Sequence, residues 1–128
     1  MAEAFLKISR LPEKGLAVLE VLRDSVEMAE WEKFVRAGAQ LLGCGQKHLV
    51  LDLRRLKRVL SLFIGEAVRL NGEARSRGRR FTVLAAGRIG DTFRMILGGD
   101  LLEIVTDGRG PEELAGPART AAPARPRA

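Results

Sequence analysis

Residue types that carry most enzymatic chemistry are scarce in this sequence. It has one histidine, His48, and one cysteine, Cys44, which lies between two glycines. This inventory argues against histidine-based metal clusters and against serine or cysteine triads, and no second cysteine or basic neighbour would activate Cys44. No glycine pattern has the spacing of a phosphate-binding loop. We therefore predict no catalytic residue, no cofactor and no metal site, and a protein that is not an enzyme.

Asp52 lies at the end of a strongly apolar run. An aspartate in this place is the phosphoacceptor of a response-regulator receiver, but a receiver also needs an acidic pair after its first strand to hold magnesium and a lysine after a later strand. The sequence has neither. We interpret Asp52 as a residue at a strand end.

Basic residues form two groups on either side of one predicted helix. About 15 residues separate the groups, or ~22 Å along a helix axis, so they lie toward opposite ends of that helix. An alternative function follows from them, a basic adaptor that binds nucleic acid or an anionic membrane surface through Arg75–Arg80 and the C-terminal tail. Aromatic residues that would stack on bases are few. The groups are Arg54, Arg55, Lys57 and Arg58, and Arg75, Arg77, Arg79 and Arg80.

The stretch from His48 to Gly65 contains His48, Asp52 and the first basic group, and its local structure sets their positions. Residues 48–53 form a nearly continuous apolar run, typical of a strand that is covered on both faces. After the charged link at 54–58, apolar residues recur at helical spacing from Ser61. We predict a central strand, a short turn and an amphipathic helix whose N-terminus lies at Ser61 and Leu62.

The flanking patterns predict the other elements. Strands are expected at 4–9, 16–22, 81–86 and 101–106, the first two as a β-hairpin or an adjacent pair. One helix runs from Glu30 to the glycines at 43 and 45, and another begins near a capping Asp91 and ends at Leu97, with Ile89, Phe93, Ile96 and Leu97 turned inward. The order β-β-α-β-α-β-α-β predicts one α/β domain at 1–108, with a mixed sheet of about five strands and helices packed on it.

Length and charge limit the protein further. The 128 residues suffice for one domain, and the net charge is +6. Beyond Asp107 the composition shifts to Gly, Pro, Ala and Arg, and residues 117–128 lack large apolar side chains, so residues 109–128 are expected to be a disordered tail. A single cysteine and the lack of a signal-peptide pattern or of a long apolar run predict a cytoplasmic, soluble protein.

The stretch around Ser61 resembles the STAS domain, the fold of the anti-sigma factor antagonists. An apolar strand ending in Leu-Asp-Leu is followed by a basic link and by Ser-Leu-Phe-Ile-Gly at a helix start. The matching family segment usually reads Asp-Ser-Ser-Gly-Leu-Gly, and a partner kinase phosphorylates its second serine. In this alignment Leu60 replaces the aspartate, Ser61 matches the first serine, Leu62 stands at the phosphoacceptor and Phe63 replaces the glycine. By the order of elements, the resemblance covers residues 4 to 108.

The resemblance implies a non-enzymatic protein-interaction module of bacterial signalling or scaffolding. Its partner would be a kinase-type ATPase, another STAS domain or a transporter ATPase, and a homo-oligomer is compatible with it. Leucine cannot accept phosphate, so binding would not be switched at the usual position. We expect Leu62 and Phe63 as apolar anchors, Arg58 and Arg54 at the rim, and Ser61 as a helix cap. Two alternatives stay open: Leu62 and Phe63 face the core, or Ser61 is a phosphosite in a register shifted by one.

Overall fold

The computed structural model describes residues 5–98 and 101–114 and has the predicted order of elements. The five strands are β1 (Leu6–Leu11), β2 (Leu16–Val21), β3 (His48–Leu53), β4 (Arg80–Ala85) and β5 (Glu103–Val105). The three α-helices are α1 (Trp31–Leu42), α2 (Ser61–Ser76) and α3 (Gly87–Leu97). Short 3-10 helices lie at Pro12–Lys14, Met28–Glu30 and Pro111–Leu114.

The strands form one mixed sheet in the order β1-β2-β3-β4-β5. β1 is antiparallel to β2, with Leu6 opposite Val21 and Leu11 opposite Leu16, as the prediction of an adjacent pair allowed. The turn between them uses Gly15 at φ 68°, a left-handed conformation that favours glycine. All later pairings are parallel, because each of α1, α2 and α3 returns the chain to the same end of the sheet.

β3 is the central strand, and all six of its residues are buried. This confirms the prediction from its near-continuous apolar run, since a central parallel strand is covered on both faces. One face of the sheet packs against the helices and forms the main core. Within that core the rings of Trp31, Phe34 and Phe63 form a cluster, with centroids 4.5 to 5.4 Å apart.

The second face carries a smaller apolar cluster, and it corrects the predicted domain boundary. Leu114, at the end of the last 3-10 helix, packs against this cluster, and Gly110 and Pro111 are buried. The expectation of disorder from residue 109 is therefore wrong for 109–114, because one leucine and one proline suffice to hold the segment on an apolar sheet face. The rest of the predicted tail, 115–128, lies outside the described residues. The cluster consists of Leu16, Val18, Val50 and Leu84.

Two details of the C-terminal part of the domain differ from the prediction. α3 begins at Gly87, directly after β4, so Asp91 lies within the helix and does not cap it. Ile96 is 56% exposed and not part of the core. The buried stripe of α3 runs through Ile89, Gly90 and Phe93, and Ile96 lies beside it near the helix end.

Candidate functional site

The candidate site lies where the parallel strands end and the helices begin. The link between β3 and α2, residues 54–60, is fixed to the loop that follows β2. The backbone N–H of Lys57 donates to the carbonyl of Asp24 at 2.8 Å, and Nη2 of Arg58 donates to Oγ of Ser25 at 3.3 Å. These bonds hold the N-terminal end of α2 at a defined place on the edge of the sheet.

Ser61 is the first residue of α2, and its side chain does not cap the helix. The N-cap is Leu60, in an extended conformation with φ −89° and ψ 154°, and no side chain bonds to the helix N-terminus at that position. The expected cap at Ser61 is therefore wrong by one residue, since a serine inside the first turn cannot fold back as an N-cap does. Ser61 is exposed at the helix start.

Leu62 and Phe63 have opposite environments. Leu62 is 40% exposed, whereas Phe63 is 1% exposed and its ring centroid lies 4.5 Å from that of Phe34. Consecutive residues of a helix point about 100° apart, so only one of the two can face α1. The expectation that both serve as surface anchors is wrong for Phe63, which belongs to the core.

Leu60 is a site residue that the sequence argument missed. Its side chain is 40% exposed, as much as that of Leu62. The sequence did contain a signal for it: Leu60 stands where the family pattern usually has an aspartate, so an apolar residue replaces a polar one. We name Leu60, Ser61 and Leu62 the apolar tip. Met28, 63% exposed, lies just before α1 at the same edge of the sheet.

Arg54, which we expected at the rim of the site, forms an ion pair within the domain. Its Nε and Nη2 atoms donate to the two carboxylate oxygens of Asp52 at 2.9 and 2.8 Å. Asp52 is 2% exposed, so the pair neutralises a buried carboxylate at the end of β3. This agrees with the interpretation of Asp52 as a residue at a strand end. Arg54 remains partly exposed, with 36% of its side chain accessible.

Acidic neighbours balance the charge of the basic link. Arg55 pairs with Glu20 at 3.8 Å, and Arg23, in the loop after β2, pairs with Glu30. In segments 20–30 and 52–60 together, the basic and acidic residues are equal in number. These two segments, which lie beside the apolar tip, therefore carry no formal net charge. The basic residues are Arg23, Arg54, Arg55, Lys57 and Arg58, and the acidic ones are Glu20, Asp24, Glu27, Glu30 and Asp52.

The second basic group lies at the other end of α2, as its spacing predicted. Arg79 donates from Nη1 to the carbonyl of Leu42 at 2.8 Å, and Arg77 donates to the same oxygen at 3.4 Å. Arg80 forms a bidentate ion pair with Glu103. The two groups do not form one continuous basic face, because the length of α2 separates them.

His48 begins β3 and is buried. Its Nε2 atom lies 2.8 Å from Oγ1 of Thr82. Burial and the nearby guanidinium of Arg80 lower its pKa to about 4, so His48 is neutral near pH 7. Cys44 bonds to the carbonyl of Gln40 at 3.4 Å, and within residues 5–98 and 101–114 no group of His, Cys, Asp and Glu side chains could hold a metal ion.

Comparisons with known proteins support the fold and leave the site open. No family model matches the sequence, and the search of curated proteins found no significant match. The structure is similar to an anti-sigma-factor antagonist (STAS) domain protein from Planctomyces limnophilus, with 12% identity and a TM-score of 0.70 over 86% of this chain and 94% of that one. It is also similar to an anti-sigma factor antagonist from Mycobacterium paratuberculosis, with 16% identity and a TM-score of 0.60 over 77% and 82% of the two chains.

These similarities confirm the predicted STAS-like fold, a mixed five-stranded sheet with three helices in a single α/β domain. No helix in the described part of the chain is long and apolar enough to cross a membrane.

Proposed function

We propose that this STAS-like domain is a non-enzymatic module that binds a protein partner through its apolar tip. The observation that carries the proposal is the 40% exposure of Leu62 at the start of α2. In the family pattern this position is the phosphoacceptor serine. A fold whose solved relatives include anti-sigma factor antagonists supports a role in bacterial signalling or scaffolding.

The chemistry of the tip favours constitutive binding. Phosphorylation of a serine would add about 1.5 to 2 negative charges at this position, and leucine cannot undergo it. Leu62 and Leu60 are each 40% exposed, so burying the exposed part against a partner would contribute roughly 0.6 to 1.2 kcal/mol each, about 40% of the value for a fully exposed leucine. Affinity would then depend on whether the partner is present and not on a kinase.

The partner's surface should match an apolar projection flanked by segments without net charge. We expect an apolar pocket, with Arg58 and the partly exposed Arg54 reaching its margin. A kinase-type ATPase of the anti-sigma factor class is the partner that this arrangement favours by family resemblance. Another STAS domain or a transporter ATPase would present a different surface to the same tip. The single unpaired Cys44 fits a reducing compartment, so we place this interaction in the cytoplasm.

Ser61 offers a second regulatory route at the same place. Its side chain is exposed beside Leu62, and a phosphate there would lie near the favourable end of the α2 dipole. Intact-mass measurement of the protein purified from its own cells, before and after phosphatase treatment, would reveal a modified Ser61. A mass that phosphatase leaves unchanged would support unswitched binding.

Partner capture tests the role of the tip. Tagged wild type, Leu62→Asp and Leu60→Asp would be purified from the native cells and the bound proteins identified by mass spectrometry. Both substitutions should remove a partner that wild type retains. Met95→Asp is the matched control, because Met95 is 77% exposed on α3, away from the tip. Unchanged capture by Leu62→Asp, or equal loss with Met95→Asp, would overturn the proposal.

A further inference from the structure

The basic excess of the domain is concentrated at the end opposite the apolar tip. Segments 10–14, 43–47 and 73–80 together with Glu103 hold seven basic and three acidic residues, whereas segments 20–30 and 52–60 beside the tip are balanced. Part of the excess complements helix C-termini, as Arg77 and Arg79 do at the end of α1. The basic residues are Arg10, Lys14, Lys47, Arg75, Arg77, Arg79 and Arg80, and the acidic ones are Glu13, Glu73 and Glu103.

A cavity of about 310 Å³ opens within this basic end. Its lining comes from three elements: the last turn of α2, the turn into β4 with the start of that strand, and the first residue of β5. Three of its five lining residues are arginines and one is a glutamate, so the lining carries a net positive charge. The volume lies at the lower end of the range of small-molecule sites, roughly 300–1,000 Å³. The lining residues are Arg75, Arg79, Arg80, Phe81 and Glu103.

The guanidinium groups keep donors for a ligand. An arginine has five N–H donors. Arg80 uses Nε and Nη2 on Glu103, and Arg79 uses Nη1 on the carbonyl of Leu42. Among the described residues, none accepts a hydrogen bond or ion pair from the side chain of Arg75. The cavity therefore combines one uncommitted guanidinium with two that are held in place by bonds to the fold.

We propose that this cavity binds a phosphate group, either of a small free anion or of a lipid headgroup. Guanidinium forks match the geometry of phosphate oxygens, and fixed arginines lose little side-chain entropy on binding. Phe81 is 3% exposed and offers no face for a base to stack on. The cavity is thus suited to the phosphate itself and not to a nucleic-acid strand, which needs a track of several phosphate contacts.

His48 provides a reporter for this site. It is the only histidine in the sequence, and the charges of Arg80 and Glu103 both act on it. A bound anion offsets the positive field of Arg80, so it raises the pKa of His48. NMR of the imidazole proton therefore detects occupancy without a label and without ambiguity of assignment.

The experiment titrates the full chain with inorganic pyrophosphate, followed by isothermal titration calorimetry and by the His48 resonance across pH. Wild type is expected to bind and to show a raised His48 pKa. Arg75→Ala should weaken binding about tenfold or more, since it removes a charge-assisted interaction at an exposed helical position that alanine tolerates. Arg88→Ala, the same charge change at an exposed position near the start of α3, is the control and should bind as wild type does.

Vesicles that contain phosphatidic acid distinguish the two sources of phosphate. If pyrophosphate binds and the vesicles do not compete with it, the natural ligand is a free anion. If the vesicles bind and this binding depends on Arg75, the natural ligand is a lipid headgroup. Failure of both probes, or equal weakening by Arg88→Ala, would overturn the proposal. So would tight binding of a single-stranded oligonucleotide that pyrophosphate does not displace. The tip substitutions Leu62→Asp and Leu60→Asp should leave pyrophosphate binding unchanged.

Discussion

Leu62 and Phe63 are adjacent in the chain, yet 40% of Leu62 is exposed and only 1% of Phe63 is. The packing of Phe63 against Trp31 and Phe34 fixes the rotation of α2 about its axis. That rotation directs Leu62 outward at the edge of the sheet. The first turn of α2 therefore supplies both a core contact, through Phe63, and a candidate binding contact, through Leu62.

Their different burial predicts different effects on stability. Phe63→Ala should lower the free energy of unfolding by about 3 to 5 kcal/mol because it leaves a cavity among aromatic rings. Leu62→Ala should change it by no more than about 0.5 kcal/mol. Urea denaturation followed by circular dichroism measures both. A loss for Leu62→Ala as large as that for Phe63→Ala would mean that Leu62 is not a surface residue.

The balanced charge at the tip predicts a weak salt dependence of partner binding. An interface that neutralises several charges loses affinity steeply between about 50 and 200 mM salt, whereas an apolar one barely responds. We expect the Kd for the captured partner to change by less than about threefold over this range. A steep decrease in affinity would instead favour the basic adaptor, with Arg75–Arg80 as its contact surface.

Gly90 in α3 approaches the residue after β5 too closely to accept a side chain. A methyl group at Gly90 would lie 2.3 Å from Cγ2 of Thr106. Gly90→Ala should therefore destabilise the fold by about 1 to 3 kcal/mol. Thr106→Ser removes the obstructing atom, so the double variant should recover most of the loss, which thermal denaturation can follow.

Gly72 provides a matched control for the substitutions at Gly90 and Thr106. Gly72 lies in α2 with open space around the position of a new side chain. Gly72→Ala should stabilise the protein by up to about 1 kcal/mol, because alanine is the better helix former. A double variant at 90 and 106 that is no more stable than Gly90→Ala alone would contradict the proposed contact.

His48 predicts a loss of stability in mild acid. Its pKa is about 4 in the fold and near 6.5 when unfolded, so the unfolded chain binds more protons between these values. The contribution of neutral His48 to the free energy of unfolding is fully present above about pH 6.5. It is lost as the pH falls toward 4, and the whole loss is about 3 kcal/mol.

His48→Gln isolates this contribution. Glutamine can keep a hydrogen bond to Thr82 but does not titrate, so the free energy of unfolding should fall less between pH 6.5 and 4 in the variant than in wild type. Denaturation midpoints at a series of pH values measure the difference. Parallel pH profiles for the two proteins would show that His48 is not buried as described.

The sequence determined the order of elements and most of their bounds. The apolar run of β3, the helical periodicity of α1 and α2 and the start of α2 at Ser61 are local patterns, and local patterns specify local structure. The separation of the two basic groups followed from helix length alone. The family resemblance added the STAS-like arrangement, which the strand order confirms.

The tertiary structure decided which of these residues face outward. Leu62 and Phe63 are both large and apolar, and only the position of Trp31 and Phe34, far away in the chain, determines which one is buried. The packing of Leu114 on the second face likewise depends on contacts that no local pattern encodes. The periodicity of apolar residues indicates that a segment is helical. Which of its side chains is buried depends on the element that packs against the helix.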